Sequence, residues 1–593
     1  MSPRRSSPIV LVLSSLVLAV AAAGAEEVDL SPSAWSEGER DLRFAENAVF
    51  GGPNRPATGP GVVVGTTGPP AIRAGIEALR RGGSAVDAAL TTALAQVALA
   101  GGAWVSYAGI LTLVVYDAET GEVLALDAAY DTVRGEDDPA SIPPGSSAGA
   151  SDPEPSGRTA LVPGFMAGVE AAHARFGRLP FRALFTPAIA FAEDGFRLTA
   201  LHGGMLARRE PVLRRLEATR AVFEKEDGSF VGEGDLFRQP ALAATLRRVA
   251  DEGAAYLYTG EWAERFVAAV RADGGRMSLD DLAAYRPRWS AAMRVTYRGH
   301  EVCAPALPAQ GGVSLAEALR IAERADVAGR GPITSSAEAF HWLHQASSLF
   351  VLNHVAPEVG AAMIGGADAS PAARATEEHA ERLWRRIEEG RCLLARPPAE
   401  DDSKHSDGIV AVDARGNVAA VVHSINTSAW GDTGLFVDGV SIPDSASFQQ
   451  DLVARTGPGR RLPNPTEPLI VLADGVPVAA LASIGGGLHQ ATVGALVNLV
   501  GHGLAIDEVL GAPTPHLPSF SALGGARPRV FEGDFEDALL ERVGELGLDV
   551  EVLSAAEGGS VRGYVVGASV DRAAGTATAI GTKILNGRAM ATD

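Results

Sequence analysis

This 593-residue sequence has few cysteines, few aromatic residues and no net positive charge. Only two cysteines occur, Cys303 and Cys392, and two distant cysteines cannot form the disulfide framework of a small secreted scaffold. We interpret both as small buried hydrophobic residues. Aromatic residues make up 6% of the chain and the formal net charge is −21, with no cluster of basic and aromatic residues. This balance argues against a nucleic-acid partner and favours a solvated acidic surface.

Metal-binding patterns are also missing from the sequence. The His-Glu-x-x-His spacing of zinc enzymes does not occur, so we predict no metal site and no cofactor. We interpret His405 and His423 as histidines on the surface or behind a site, and not as ligands or bases.

The N-terminus has the pattern of a secretory signal. Arg4 and Arg5 form a basic start, residues 9–20 are an apolar run too short to span a bilayer comfortably, and residues 23–25 are small. We predict a signal peptide over residues 1–25 and a mature protein in the periplasm or outside the cell, without a membrane anchor after cleavage. An uncleaved anchor is the alternative, which the short apolar run disfavours.

Apolar periodicity predicts helices and hairpins before residue 400. Ser84 and Asp87 form a capping-box pattern, and the almost wholly apolar residues after them predict a helix that is buried on most sides. Residues 110–116 and 123–126 predict a hairpin, and residues 295–303 a single strand. Residues 131–158 are rich in Pro, Gly, Ser, Asp and Glu, which predicts a long exposed loop.

The chain changes character at Ser406. This residue follows a charged linker and precedes two apolar runs separated by a turn with Gly416 and Asn417, a pattern that predicts a β-hairpin. Further on, another strand leads through three glycines, 485–487, into a helix. Paired hairpins with helices on both sides predict an α/β (α+β) fold, a four-layer αββα sandwich.

Several motifs occur in a characteristic order. With them the mature chain resembles, over nearly all of its length, the gamma-glutamyltransferase (gamma-glutamyltranspeptidase) family of N-terminal nucleophile hydrolases. Each motif is weak alone, but their order and spacing together are specific. They lie at residues 79–89, 162–164, 176–180, 281–287, 308–312 and 459–461, and at Gly485-Gly486.

The resemblance implies a precursor that cleaves itself into a large-subunit region, residues 26–405, and a small-subunit region, residues 406–593. Counting back from the Gly416-Asn417 turn places the nucleophile, usually threonine in this family, at Ser406, and the cut between His405 and Ser406. A serine hydroxyl can attack a carbonyl carbon, and the freed α-amine, with a pKa near ~8, can accept the proton. We expect Asp407 to raise the pKa of that ammonium.

Other functional positions follow from the same resemblance. Ser424 matches the family's second hydroxyl, which hydrogen-bonds the nucleophile, and Asn426 matches a substrate-contacting asparagine. Gly485 and Gly486 precede a helix and are expected to present backbone N–H groups to a developing oxyanion. The alternatives are polar residues at a strand rim for the first pair and a tight turn for the glycines.

The substrate positions depart from the family pattern. Ala129 stands where the family has an arginine for the glutamyl α-carboxylate, and Ser447 where it has an aspartate for the α-amine, with Asp444 the nearest acid. Asn464 and the proline after it replace a pair of serines. Ser447 and Asn464 are thus our predicted substrate-binding residues beside Asn426, and the loss of a bidentate arginine predicts a less charged acyl group.

Three functions stay open on the sequence alone. The family default is hydrolysis or transfer of γ-glutamyl groups, as from glutathione, by an exported enzyme. The departures at Ala129 and Ser447 suggest instead an acylase for another amide, or an uncut and inactive binding protein. In the first two cases the partners are a small amide or peptide substrate and the two regions of one precursor, which stay associated.

Overall fold

The computed structural model describes residues 28–49, 51, 54–388, 406–520, 526–554, 559, 561–582 and 584–593. The predicted signal peptide, His405 and Cys392 lie outside the described residues. Cys303 is described, and its side chain is buried, as predicted. Within the described ranges, no helix has both the length and the apolar character needed to cross a bilayer.

Short apolar runs bounded by turn residues form the strands. In chain order they are β1 (Ala57–Gly59), β2 (Val62–Gly65), β3 (Ile110–Tyr116), β4 (Val123–Ala128), β5 (Phe196–Arg197), β6 (Leu236–Phe237), β7 (Arg288–Ala291), β8 (Met293–Tyr297), β9 (His300–Ala304), β10 (Ser406–Val412), β11 (Val418–Ser424), β12 (Leu435–Val437), β13 (Val440–Ile442), β14 (Leu469–Ala473), β15 (Val476–Ile484), β16 (His516–Phe520), β17 (Ala526–Phe531), β18 (Glu551–Leu553), β19 (Tyr564–Asp571), β20 (Thr576–Ile580) and β21 (Ala589–Ala591).

Amphipathic or wholly apolar segments form the helices. In chain order they are α1 (Glu37–Asn47), α2 (Pro69–Arg80), α3 (Ala85–Leu99), α4 (Phe165–Phe176), α5 (Thr186–Asp194), α6 (Ala200–Leu213), α7 (Glu217–Phe223), α8 (Pro240–Glu252), α9 (Ala255–Tyr258), α10 (Glu261–Ala272), α11 (Leu279–Ala284), α12 (Gly311–Arg324), α13 (Ala337–Ser348), α14 (Pro357–Met363), α15 (Pro371–Arg374), α16 (Glu377–Glu388), α17 (Gln450–Thr456), α18 (Leu488–Leu496), α19 (Ile506–Gly511) and α20 (Asp537–Glu545). The predicted capping box at Ser84 and Asp87 starts α3.

Two seven-stranded antiparallel sheets dominate the molecule. One has the order β1-β20-β19-β15-β14-β9-β8, and the other β21-β2-β10-β11-β3-β4-β7. Side chains alternate between the two faces of each strand. In β10, Val410 packs in the core between the sheets and Ile409 packs against the helices around α3. In β15, Ala482 faces the same inner core and Leu481 faces the helices around α12. The predicted four-layer αββα sandwich is therefore confirmed.

Two local expectations were wrong. Residues 295–303 are not one strand, because Arg298, at φ 49°, and Gly299 form a turn that divides them between β8 and β9. Residues 131–158 are only partly exposed, since Glu136, Ile142 and Ser147 are buried. Loop composition predicted a segment without α-helices or strands, and the segment contains only short 3-10 turns. Composition could not show that Ser146 and Ser147 contact the residues that follow β11.

Candidate active site

The β10–β11 hairpin occupies the middle of its sheet, between β2 and β3. Its register pairs Ser406 with Ser424, and the Ser406 hydroxyl donates a hydrogen bond to Ser424 Oγ at 2.8 Å. At the other end, Asp413 and Gly416, at φ +87°, close the turn between the strands. The hairpin predicted from the sequence therefore places the two hydroxyls side by side.

Strand alternation sets the direction of the Ser406 side chain. Ser406 shares a face of β10 with Gly408 and Val410, which is the face toward the other sheet. A Cβ added to Gly408 would lie 3.2 Å from Ala482 Cβ, so the sheets approach closely there. The Ser406 hydroxyl, partly buried, therefore lies at the end of the space between the sheets.

The chain turns sharply just beyond Ser424. The backbone N–H of Asn426 donates to Ser424 Oγ at 2.7 Å, and Asn426 has φ 53°, in the left-handed region that asparagine tolerates. Asn426 is partly exposed. Ser424 thus links the proposed nucleophile to the segment that carries the predicted substrate-contacting residue.

The glycine turn lies at the same end of the sandwich. β15 ends at Ile484, whose Cγ2 would lie 3.4 Å from a Cβ on Gly408, and α18 begins at Leu488. Gly485 has φ +86°, and a Cβ there would lie 2.4 Å from the carbonyl oxygen of Arg562. The turn thus requires glycine at 485, and it joins the strand facing β10 to the N-terminus of a helix, where backbone N–H groups favour negative charge.

Asp407 points away from Ser406, to the helix side of the sheet. Its carboxylate accepts hydrogen bonds from the hydroxyls of Thr66 at 2.7 Å and Thr67 at 2.8 Å and from Trp104 Nε1 at 2.9 Å. Burial raises the pKa of Asp407 to about 6, against these three donors, which lower it. The three partners were missed from the sequence, although two polar residues directly after the apolar run of β2 were a usable signal.

His423 is buried behind the site. The sequence predicted a position either on the surface or behind a site, and the surface position is wrong. Its Nε2 is 2.9 Å from Gln96 Oε1, and burial lowers the pKa of its imidazole to about 3. The ring is neutral at physiological pH and faces helix α3, on the opposite side of the sheet from the two serine hydroxyls.

Ala129 stands where the family has an arginine, and its backbone groups are hydrogen-bonded within the protein. Ala129 is buried, its N–H donates to Asp127 Oδ1 at 2.9 Å, and its carbonyl accepts from the Tyr285 hydroxyl at 2.6 Å. The nearby Arg461 is also buried, with its guanidinium 2.7 Å from Asp131 Oδ1 and 3.2 Å from Asp127 Oδ1. That guanidinium is neutralised by the chain itself.

Ser447 stands where the family has an aspartate, and the segment around Gly145 covers it. Ser447 is buried, and a Cβ on Gly145 would lie 2.6 Å from Ser447 Oγ. Asp444 accepts from the Thr427 hydroxyl at 2.6 Å and from the Asp432 N–H at 2.8 Å, while burial raises its pKa to about 6. Neither residue presents an open carboxylate to an ammonium group.

Asn464 lies near the Ser424 end of β11. Its Oδ1 accepts from the Thr466 N–H at 3.1 Å and from the Thr112 hydroxyl at 3.4 Å. Thr112 is two residues along β3 from Ile110, the cross-strand partner of Ser424. The buried Nδ2 of Asn464 has no hydrogen-bond partner among the described residues.

Across the described ranges, no group of three His, Cys, Asp or Glu side chains is arranged to hold a metal ion. The site chemistry offered by these residues is that of two hydroxyls, a strand-to-helix turn and backbone donors.

Comparison with known proteins assigns the family. The family model for gamma-glutamyltranspeptidase matches residues 71–578, and the chain belongs to this family. It is an enzyme of the gamma-glutamyltranspeptidase-like N-terminal nucleophile hydrolase type, a hydrolase or acyltransferase.

Relatives with two different activities are similar to this chain. The glutathione hydrolase proenzyme of Pseudomonas aeruginosa is 29% identical over 471 residues, which cover 74% of this chain and 79% of the relative. The acylase ACY 1 proenzyme of Pseudomonas sp. strain V22 is 26% identical over 489 residues, which cover 77% and 83%. The crystal structure of cephalosporin acylase from Bacillus halodurans matches with a TM-score of 0.74 at 22% identity, over 91% of this chain and 97% of that one, and supports the fold.

Proposed function

We propose that this protein is a self-processing amide hydrolase or acyltransferase whose nucleophile is Ser406, exported through the signal at residues 1–25. The observation that carries the proposal is the 2.8 Å hydrogen bond between Ser406 and Ser424 at the end of the inter-sheet space. A nucleophile held by a second hydroxyl beside a glycine turn is the arrangement that acyl transfer needs.

Processing uses the same hydroxyl as catalysis. Ser406 Oγ attacks the carbonyl carbon of His405, the C–N bond to Ser406 breaks, and the acyl group moves from nitrogen to oxygen as an ester. Water then hydrolyses the ester, which leaves a carboxylate on His405 and a free α-amine on Ser406. The product is a chain that begins with its own nucleophile and base.

In turnover, the α-amine of Ser406 accepts the Oγ proton as Oγ attacks the substrate amide carbonyl. The N–H groups of Gly485 and Gly486 stabilise the oxyanion, and the leaving amine departs with the proton. Water or another amine then attacks the acyl ester, which gives hydrolysis or transfer.

The γ-glutamyl group is the family's default acyl group, and the glutathione hydrolase relative favours it for this chain. A second candidate is an acyl group without a free α-amino acid head. It is favoured by the buried methyl of Ala129 and by the cover that Gly145 places over Ser447, because neither position offers a charge to a zwitterion.

Mass spectrometry of the purified protein tests processing. We expect two chains, the smaller starting at Ser406, and a single full-length chain for Ser406→Ala. An electrophilic acylating probe should label Ser406 in the parent protein. A parent protein that stays full-length after long incubation, with Ser406 unlabelled, supports the inactive binding protein instead.

Two chromogenic amides then separate the substrate candidates. Turnover of γ-glutamyl-p-nitroanilide supports the family default. Turnover of butyryl-p-nitroanilide, which lacks both the α-amine and the α-carboxylate, without turnover of the first amide supports the acylase. Both activities must disappear in Ser406→Ala.

A further inference from the structure

A buried pair of ionisable side chains lies just beyond the glycine turn of the candidate site. His489, the second residue of α18, has its Nδ1 2.7 Å from Oε1 of Glu467, and both side chains are completely shielded from solvent. The ring of Phe350 stacks on the imidazole at a centroid distance of 4.9 Å. The Nε2 of His489 has no hydrogen-bond partner among the described residues. Glu467 therefore provides the one polar contact of this ring that the structure describes.

One member of the pair is fixed to the glycine turn through the first turn of α18. The Leu488 N–H donates to the carbonyl of Gly485 at 3.2 Å, and the Ala491 N–H donates to the carbonyl of Gly487 at 3.0 Å. His489 lies between these two bonds, in a helical turn that moves as a unit. A displacement of its side chain therefore moves the backbone N–H groups of the turn as well.

The other member is fixed to the segment that carries Asn464. The Gln310 N–H donates to the carbonyl of Asn464 at 2.8 Å, and the Thr466 N–H donates to Asn464 Oδ1 at 3.1 Å. A Cβ added to Gly311 would lie 2.9 Å from Glu467 Cγ, so the N-terminus of α12 packs closely against this side chain. The segment thus gives the pair a fixed base.

The glycine turn is held from two sides. In the sheet, β15 lies between β14 and β19, and both neighbours begin beside the end of β15. The segment before β19 contacts the turn directly, because the Gly487 N–H donates to the carbonyl of Arg562 at 3.4 Å. The segment before β14 reaches it through the bond between Glu467 and His489. Loss of that bond leaves the turn supported on one side.

Burial makes the bond between the two side chains directional. Removal from water raises the pKa of Glu467, and the attraction of His489 opposes this change. Hydrogen bonds of buried ionisable groups are strong because water does not compete for them. An apolar pair of similar volume would fill the same space, often without loss of stability. The polar pair specifies one position of α18, which stability alone does not require.

We propose that Glu467 and His489 are positioning residues that set the place of the Gly485 and Gly486 N–H groups relative to the acyl carbonyl. This inference rests on the proposed function and extends it to two residues behind the site. Oxyanion donors act at about 2.7–3.1 Å from the developing charge, so a small displacement weakens them. The loss falls on the transition state, and we expect kcat to fall while KM changes little.

Kinetics of the processed protein test this role, with γ-glutamyl-p-nitroanilide or butyryl-p-nitroanilide, whichever the parent turns over. His489→Leu should lower kcat about tenfold and change KM by less than about twofold, a part of the roughly 10²-fold effect of losing one oxyanion donor. His489→Asn, whose side-chain amide can donate in place of Nδ1, should recover most of the kcat. Butylboronic acid, which forms a tetrahedral adduct with a serine hydroxyl, should inhibit His489→Leu about tenfold more weakly than the parent.

A double variant separates positioning from folding. Glu467→Leu combined with His489→Leu removes the unpaired carboxylate that His489→Leu leaves buried, so its urea midpoint should lie near that of the parent while its kcat stays low. His379→Leu is the matched control, because His379 Nε2 lies 2.9 Å from Glu317 Oε1 in a second fully buried pair, between α16 and α12. This control should lose stability and keep the kcat of the parent.

The outcomes distinguish this inference from the proposed function. Parent values of kcat and boronate inhibition in the double variant overturn the positioning role, and so does an equal loss of kcat in His379→Leu. A double variant that folds but stays uncut also overturns it, because the pair then serves cleavage and not turnover. If the double variant does not fold, a parent kcat in His489→Leu leads to the same conclusion. A parent protein that neither cleaves itself nor turns over an amide refutes the proposed function, and the positioning role falls with it.

Discussion

Ser424 accepts hydrogen bonds from both the Ser406 hydroxyl and the Asn426 backbone. In Ser424→Ala the Ser406 hydroxyl loses its partner, and the Asn426 N–H loses the acceptor that fixes the turn. We expect slower self-cleavage and a kcat lower by roughly tenfold, since one hydrogen bond contributes about 1 kcal/mol or slightly more.

Single-turnover kinetics and the time course of chain cleavage measure the effect of Ser424→Ala. Ser424→Thr, which keeps a hydroxyl, is the matched control and should recover most of the activity. Unchanged cleavage and turnover in the alanine variant would show that Ser424 is only a polar residue at the strand rim.

Asp407 gives the protein a specific pH dependence of stability. Burial raises its pKa in the folded chain to about 6 from an ordinary 3.8. The folded state therefore binds this proton more tightly than the unfolded state, so the resulting stability is fully present below about pH 4 and is lost as pH rises through about 6.

Asp407→Asn removes this titration. The amide should still accept from Thr66 and Thr67, but its NH₂ would face the Trp104 donor, so some stability is lost at every pH. The change in free energy of unfolding between pH 4 and pH 7 should shrink by up to about 3 kcal/mol. Urea titrations at the two pH values measure it, with the exposed Asp152→Asn as control; equal pH dependence in the parent and Asp407→Asn refutes the burial argument.

The two turns at the ends of β15 have the same backbone requirement but different surroundings. Gly475 has φ +78° with open space around a Cβ, whereas a Cβ on Gly485, at φ +86°, would lie 2.4 Å from a backbone oxygen. Gly475→Ala should cost only about 1–2 kcal/mol of stability, because of its left-handed backbone, and leave activity intact.

Gly485→Ala should cost more stability than Gly475→Ala, because the backbone must move away from Arg562. The movement displaces the proposed oxyanion donors, and kcat should fall about 10²-fold. Chemical denaturation together with steady-state kinetics on both variants checks this. Equal kinetics for the two variants would falsify the role of the glycine turn in catalysis.

The two sheets are built from both sides of the proposed cut. In the second sheet, β10 and β11 lie between β2 and β3, and β21 pairs with β2; in the first, β14, β15, β19 and β20 lie between β1 and β9. Cleavage before Ser406 breaks one peptide bond and leaves the pairing of all the described strands intact. We expect the regions 26–405 and 406–593 to stay associated under native conditions and to separate only in denaturant.

Native and denaturing mass spectrometry of the processed protein compare the two states, and Ser406→Ala supplies the uncut control. We expect strand pairing, and no disulfide, to hold the two chains together. Adding a reductant should therefore not release the small chain. Dissociation in native buffer would contradict it.

Prediction from sequence worked where the signal was local. Alternation of apolar residues gave the β10–β11 hairpin, and the capping box at Ser84 gave the start of α3, because both depend on near neighbours. The turn at Arg298 and Gly299 was missed because the apolar pattern continues across it. The partners of Asp407 are more than 300 residues away along the chain, so only folding brings them together.

The family, the αββα sandwich and the place of the hairpin were determined by the sequence itself, through short-range patterns and the order of its motifs. Tertiary structure decided which face each side chain occupies and what meets it there. In the folded chain, Ser406 and Ser424 point into the space between the sheets and Asp407 points toward the helices. The reason is that successive side chains of a strand point to opposite faces of the sheet. Contacts between distant segments also cover Ser447 and neutralise Arg461, since burial and ion pairing depend on residues far apart in the chain.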